Sequence, residues 1–478
     1  MSVIKWVAAR WPVLLFCLAL LLILPTAASA GGPTIFVPPP NGVDDTTNIQ
    51  AALNACLAKR PGCTVQLQAG KYFTKQLVTY NFHGTFKGMG QERTRIEALP
   101  NLLVEIEPVG GVPESVCQAN TTTCLFPDLI LFVDGDIHVS DLSIFENAPP
   151  GTETTPWNFA GGGPYIGLFD LLTFTGQHVN AYVDRIHVEG LPDPTNFVGF
   201  NVANGVHFTG TFPRSLTPLD WYFLSGSFTV RNSSFKGTFD GISQDGFVRS
   251  SHITVGGSPT TGNHLEGLYA GIDMESLEGS FVEISHNESS GIGAGMWVVP
   301  WFNSVYIPSS PSRYLIHDNK FIGTAQNAAG FYFVNEPAHP WIEAAAWNNI
   351  VEVQDSLSEG IGAYNTQGTA IWDNSVTGTD GYAAVGLFNS TLSTAVHNNV
   401  SDFTVDSSAG TAQIYLDPLT TKDLVVCAEP SDTVLNQGTD NVVIGCQQPT
   451  ATPAAIENVA PIATVPGPRL PKGKPWRH

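Results

Sequence analysis

The chain has 478 residues, with 47 Gly, 34 Pro and only 13% charged residues, which suits a turn-rich all-β protein rather than a helical one. Acidic residues outnumber basic ones 42 to 21, for a formal net charge of −21. That balance argues against nucleic acid and anionic membrane surfaces as partners, and a polyanionic ligand would need a local basic patch or a bridging cation.

Residues 1–30 have the make-up of a secretory signal peptide: Lys5 and Arg10, an apolar run Val13–Leu24, then Ala28-Ser29-Ala30 as a cleavage signature. The run is shorter than the roughly 20 residues a bilayer-spanning helix needs. Removal is therefore expected, with a secreted, extracellular product, and an uncleaved signal is the one route to a membrane. Cleavage takes away two cations and no anions, leaving 19 − 42 = −23. Of seven Cys, Cys17 leaves with the signal. The other six fall into local pairs, Cys56/Cys63, Cys117/Cys124 and Cys427/Cys446, expected as disulfides in an oxidising compartment. No pair has C-x-x-C spacing, which disfavours thiolate metal binding. Asn120, Asn232, Asn287, Asn389 and Asn399 head glycosylation sequons.

A Pro-rich extended lead, residues 31–42, comes next. Asp44-Asp45-Thr46-Thr47 supplies N-cap chemistry, and Ile49, Ala52, Leu53, Cys56 and Leu57 lie on one helical face. Strands are expected at Thr64–Leu67 and Ala69–Tyr72. Together with Gly84-Thr-Phe-Lys-Gly88-Met-Gly90 and Thr94-Arg-Ile96, this opening resembles that of the pectate-lyase-like superfamily over residues 43–97. The resemblance implies a secreted right-handed parallel β-helix, in a group of which many members act on polysaccharides.

Two ladders support that architecture. Short apolar runs end in Asn at Asn232, Asn287, Asn319, Asn349, Asn374 and Asn399, the last four 30, 25 and 25 residues apart. A period of this length is the mark of stacked solenoid coils, with stacked Asn side chains satisfying the turns. The second ladder pairs a variable residue with Gly and usually an apolar residue: Asn204, Asp240, Glu266, Ser290, Ala329, Glu359, Asp380 and Ala409 each precede a Gly. The Gly suits a bend with positive φ. The expected organisation is an all-β, right-handed parallel β-helix solenoid over 43–448 with an N-terminal capping α-helix. Insertions fall within 98–170 and at Pro192–Phe228, and a Pro-rich disordered tail spans 449–478.

No G-x-S-x-G, H-E-x-x-H or P-loop occurs, and Gly291-Ile-Gly-Ala-Gly295 lacks the helix a dinucleotide site requires, so no nucleotide partner is expected. Aligned on the second ladder, Asp240 and Glu266 fall on successive strands about 4.8 Å apart, a carboxylate pair suited to glycoside hydrolysis. His207, Ser243 and Tyr269 occupy the next outward positions, with Asp245 beyond and Arg249 after the Asp240 strand. The catalytic candidates are Asp240, Glu266, Asp245, Arg249 and His207. The substrate-binding candidates are Asn204, Ser243, Tyr269, Asp273 and the aromatics Trp157, Trp297 and Trp301. Trp297 and Trp301 are expected in a long connection. In a lyase, His207 or Arg249 would take a proton beside a uronate carboxylate, with calcium held by Asp240, Asp245 and Glu266. The paired Asp residues before a Cys that mark one hydrolase branch are matched only loosely by Asp240-Gly-Ile-Ser-Gln-Asp245, and the Arg-rich strand of calcium-dependent pectate lyases is absent. The two functional readings are a polysaccharide-cleaving enzyme and a non-catalytic glycan-binding or surface structural β-helix. No feature of the chain specifies an oligomeric state.

Overall fold

The computed structural model describes residues 32–59, 62–99, 128–146, 170–190, 204–210, 223–238, 240–245, 248–275, 277–299, 310–323, 329–335, 343–353, 359–378, 383–401, 403 and 412–448. The predicted signal peptide, the Pro-rich tail, Cys117, Cys124, Asn120, Trp157 and Trp301 lie outside the described residues. The described strands pair in parallel, each with the equivalent strand one coil away, as a right-handed parallel β-helix. Among the described residues one continuous sheet wraps an apolar core in three faces. Face one contains the strands Asn204–Thr209, Asp240–Asp245 and Ala329–Val334. Face two contains Ser225–Arg231, His252–Gly256 and Phe281–Ser285, and face three contains Ser234–Lys236 and Lys320–Gly323. Some strands turn a corner without a break, and Asp170–Glu189 runs across all three faces.

The bend from face two to face three explains the Asn-ended runs. On most coils one residue takes the left-handed conformation and the next turns inward, although Asn263 follows a Gly without positive φ. Arg185, Asn232, His286, Asp318, Asn348, Asp373 and His397 are the left-handed residues, with φ between 51° and 60°. Asn and Asp tolerate that region better than most side chains. The inward residues Asn263, Asn287, Asn319, Asn349, Asn374 and Asn398 are buried and bonded in a file. Each Nδ2 donates to the Oδ1 of the next at 2.9–3.0 Å. Each also satisfies a strand carbonyl, as Asn349 does for Ile316 at 3.0 Å. Two rungs differ from expectation. Asn232 is the left-handed residue, with Ser233 inside the turn, and Asn398 takes the rung while Asn399 lies exposed at the start of the next strand. Asn287, which heads a sequon, is 2% exposed, and its Nδ2 is committed to the file.

At the N-terminal end, the helix Thr46–Leu57 buries Ile49, Ala52, Leu53 and Cys56 against the first coil. Its Gln50 side chain donates to the Val78 carbonyl at 2.7 Å and accepts from the Val78 N–H at 3.0 Å. Those are the bonds a further strand would have made. Capping differs in detail. Asp44 accepts from Thr46 N at 2.9 Å, whereas Asp45 accepts from Asn41 N and Phe73 N and so ties the helix start to the coil. The lead contributes a strand, Thr34–Phe36, paired with Cys63–Gln66. Cys56–Cys63 and Cys427–Cys446 are bonded, with Cα atoms 5.6 and 5.4 Å apart.

Candidate active site

The second ladder is real, but its register differs from the sequence alignment. At the start of each face-one strand a single column runs Asp128, Asp170, Asn204, Asp240, Ala270, Ala294, Ala329, Glu359, Ala383, Ala412. Asp240 is therefore beside Ala270, not Glu266. Glu266 pairs with Lys236 and Ser290 on face three, its carboxylate 3.8 Å from Lys236 Nζ and half exposed. The strand His264–Glu275 holds two Gly-apolar steps four residues apart, Glu266-Gly267-Leu268 and Ala270-Gly271-Ile272, and only the second lies at the corner. A displacement of four residues also moves the rung from Ser290 to Ala294, and Ala383 and Ala412 hold it three residues after Asp380 and Ala409, which lie outside the described residues. The ladder glycines also act differently from expectation. Gly330 and Gly360 lie against the Val351 and Val376 side chains and the next coil's backbone, so close approach excludes a side chain there, and neither has positive φ.

The first four members of the column point away from the apolar core, yet they are buried, and they form a hydrogen-bonded cluster. Asp170 Oδ1 accepts from Asn204 N at 3.1 Å and Asn204 Nδ2 at 2.9 Å, and Asp170 Oδ2 is 2.6 Å from His207 Nδ1. One coil back, Asp128 stands beside Asp170 and accepts from the Thr173 hydroxyl. Thr173, His207, Ser243 and Asp273 form the next outward row, in register across successive strands. Asp128, Asn204, His207 and Asp240 are each 6–8% exposed, whereas Asp170 is 1% exposed behind them. Burial and then the neighbouring Asp170 charge push Asp128 up to about 7. The cluster thus sets a carboxyl that holds its proton near neutrality beside an imidazole oriented by a second carboxyl. A carboxyl and an oriented imidazole in one cluster are groups that acid–base chemistry can use.

Other predicted residues fall as follows. The register brings Asn204, His207, Asp240 and Ser243 together on two paired strands. Asp273 follows Ser243 one coil on, and Trp297 follows Asp273. Asp245 continues the Asp240 strand opposite Thr209, and Tyr269 lies in the strand His264–Glu275. Arg249 is drawn elsewhere. Its guanidinium is 3.0 Å from the buried Glu278 carboxylate and 3.6 Å from the Phe223 ring centre, in the small sheet Val248–Arg249 with Leu277–Glu278. Trp297 belongs to the strand Glu288–Val299 rather than to a connection, and it meets Tyr332 edge-on at 5.9 Å. With Glu266 on face three, the trio proposed for calcium is not assembled. Among the described residues no three His, Cys, Asp or Glu side chains form a metal cage. Asp128 and Asp170 were missed by the sequence reading. The available signal was Asp128-Leu-Ile-Leu-Phe against Asp170-Leu-Leu-Thr-Phe and Asn204-Gly-Val-His-Phe, the same ladder with Leu in place of Gly.

No family model matches the chain, and no curated protein matches it. Solved structures with a similar chain path include the mannuronan C-5 epimerase AlgE4 A-module of Azotobacter vinelandii, at 15% identity and TM-score 0.46, covering 85% of this chain and 93% of that one. A tailspike protein of E. coli bacteriophage HK620 in complex with a pentasaccharide matches at 10% identity and TM-score 0.48, covering 85% and 78%. An exopolygalacturonase from Thermotoga maritima matches at 11% identity and TM-score 0.36, covering 86% and 92%. The likeness is one of β-helical architecture.

Proposed function

We propose that this protein is a secreted enzyme that cleaves a glycosidic bond of a polysaccharide at the Asp128–Asp170–His207 cluster. The observation that carries the reading is the pairing of Asp128, held near neutrality by burial, with His207 bonded through Nδ1 to Asp170. Asp128 gives its proton to the leaving glycosidic oxygen. His207, kept in orientation by Asp170, takes a proton from the other reactant. If that reactant is water, the bond is hydrolysed; if it is the ring carbon beside a carboxyl, elimination leaves an unsaturated sugar. Asn204 and Asp240 complete the wall, and Ser243, Asp273 and Trp297 extend it along the stacked strands for a linear glycan.

The test is reducing-sugar release and unsaturated-product absorbance over a panel of neutral and uronic polysaccharides, using wild type, Asp128→Asn, His207→Ala and Glu266→Gln. General acid–base groups contribute about 10²- to 10⁴-fold, so the first two variants are expected to lose at least about 10²-fold. Glu266→Gln is expected to stay near wild type. Full activity in Asp128→Asn and His207→Ala would remove the assignment, and binding without turnover on every glycan would favour the non-catalytic alternative.

A further inference from the structure

Asn204 has one half of its amide committed and the other half open. Its Nδ2 and its backbone N–H converge on a single oxygen, Asp170 Oδ1, at 2.9 and 3.1 Å. A carboxyl oxygen that already receives a backbone N–H calls for the NH2 side of the amide, so the orientation of the side chain is set and Oδ1 faces away from Asp170. Oδ1 is buried, and among the described residues no donor reaches it. A buried carbonyl oxygen without a donor is costly, and native structures rarely leave one unless a ligand or water completes it. Asn204 sits in the column between Asp170 and Asp240, keeps 6% exposure, and lies two strands from Asp128 on the face that carries His207.

We infer that Asn204 Oδ1 accepts a hydrogen bond from a free hydroxyl of the sugar ring seated at the cluster. It thereby makes the protein selective for glycans unsubstituted at that hydroxyl over their O-acylated forms. This rests on the reading of the cluster as the catalytic centre. A site built around an unmatched acceptor discriminates strongly, because a ligand without the matching donor leaves the buried oxygen unpaired after water has been expelled. An ester at that position removes the donor and adds bulk beside a buried oxygen. Asn204 therefore has two separable effects: through Nδ2 it positions Asp170, and through Oδ1 it reads the substrate.

The experiment compares kcat/KM on one polysaccharide that wild type cleaves, in its free-hydroxyl and chemically O-acetylated forms, for wild type, Asn204→Ala and Asn204→Asp. Wild type is expected to prefer the free form by at least about tenfold, well within what a hydrogen-bonding site achieves. Asn204→Ala is expected to lower both rates and bring the preference to within about twofold, since both the acceptor and the bulk of the wall are gone. Asn204→Asp keeps an acceptor oxygen but sets a carboxyl against Asp170, so it is expected to keep the preference while its pH–rate profile moves. A wild-type enzyme indifferent to acetylation, or an Asn204→Ala variant that cuts both rates yet retains the full preference, would overturn the inference. If Asn204→Ala does not fold, the wild-type ratio and the Asn204→Asp variant decide it. Absence of turnover by wild type on any glycan would instead strike the catalytic reading. In that case calorimetric binding of free against acetylated oligosaccharide, with equal affinities as the refuting result, tests Asn204 separately.

Discussion

Asp128 and Glu359 occupy the same column, and both have their acidity shifted by burial, but their neighbours differ. Asp128 stands beside Asp170 and Thr173 in a polar cluster, and its rise to about 7 is partly the work of the Asp170 charge. If Asp128 is the proton donor, kcat/KM should fall by up to tenfold per pH unit above about 7, and Asp128→Asn should abolish that limb with the activity. A pH–rate profile of wild type decides this, and a flat profile from pH 6 to 9 would count against it. Glu359 is fully buried beside Tyr364, whose hydroxyl donates to Oε2, and Gly362 and Gly386 leave room for its carboxyl. Burial raises it to about 8 from an ordinary value near 4.5. The folded form thus holds a proton that the unfolded form releases between those values. The stability contributed by this proton is complete below about 4.5 and lost as pH rises through 8. Glu359→Gln keeps the shape and the Tyr364 bond. Its melting temperature is expected to match wild type near pH 5 and exceed it at pH 8 to 9, as differential scanning calorimetry will show. Parallel pH dependence in the two proteins would refute the assignment.

At the scale of the element, the turn between faces two and three is specified by two adjacent residues with separate tasks, one for backbone conformation and one for inward hydrogen bonding. A middle rung shows the cost of breaking it. Asn349 donates to Ile316 O and Asn374 Oδ1, and its own Oδ1 receives both Asn319 N and Asn319 Nδ2. Asn349→Ala leaves several buried polar groups unmatched at once, each worth about 1–3 kcal/mol. Loss of at least about 2 kcal/mol in denaturant unfolding is therefore expected. The same change at exposed Asn399 should cost under about 0.5 kcal/mol. Equal effects at the two positions would show that the file is not a stabilising element. The asparagine runs were legible in the sequence because their chemistry is local. Which Asn of an Asn-Asn pair turns inward was not, since that depends on which residue takes positive φ. Asn348 does so before Asn349, whereas His397 does so before Asn398.

For the whole molecule, stacking makes each coil depend on its neighbours, so the ends are the weak points. The first coil is closed by the helix, the Gln50 bonds and Cys56–Cys63. Near the other end, Val442–Ile444 pairs on one side with Leu424–Val426, and Val442 and Ile444 are about half exposed. Hydrogen exchange is expected to be slowest in central strands such as Phe281–Ser285 and Arg313–His317 and fastest in Val442–Ile444. Uniform protection along the axis would contradict a nearest-neighbour solenoid.

The sequence by itself determined the parallel β-helix. The opening helix-and-strand pattern, the coil-length period and two local disulfides are written in residues close together in the chain. It also placed Asn204, His207, Asp240 and Ser243 correctly relative to one another, because these lie on two strands that share one motif. Only the tertiary structure decided the rest of the candidate site. Coil lengths vary with the insertions, so a slip of four residues in choosing the Gly step sent Glu266 to the column in the alignment, while the fold gives that place to Ala270. Asp128 and Asp170 come from the stretches that fitted the period least well, and they meet Asn204 and His207 only when three coils are stacked in register. The upward push on the Asp128 carboxyl is likewise a property of that stacking, because it comes from burial and from the charge of a neighbour one coil away.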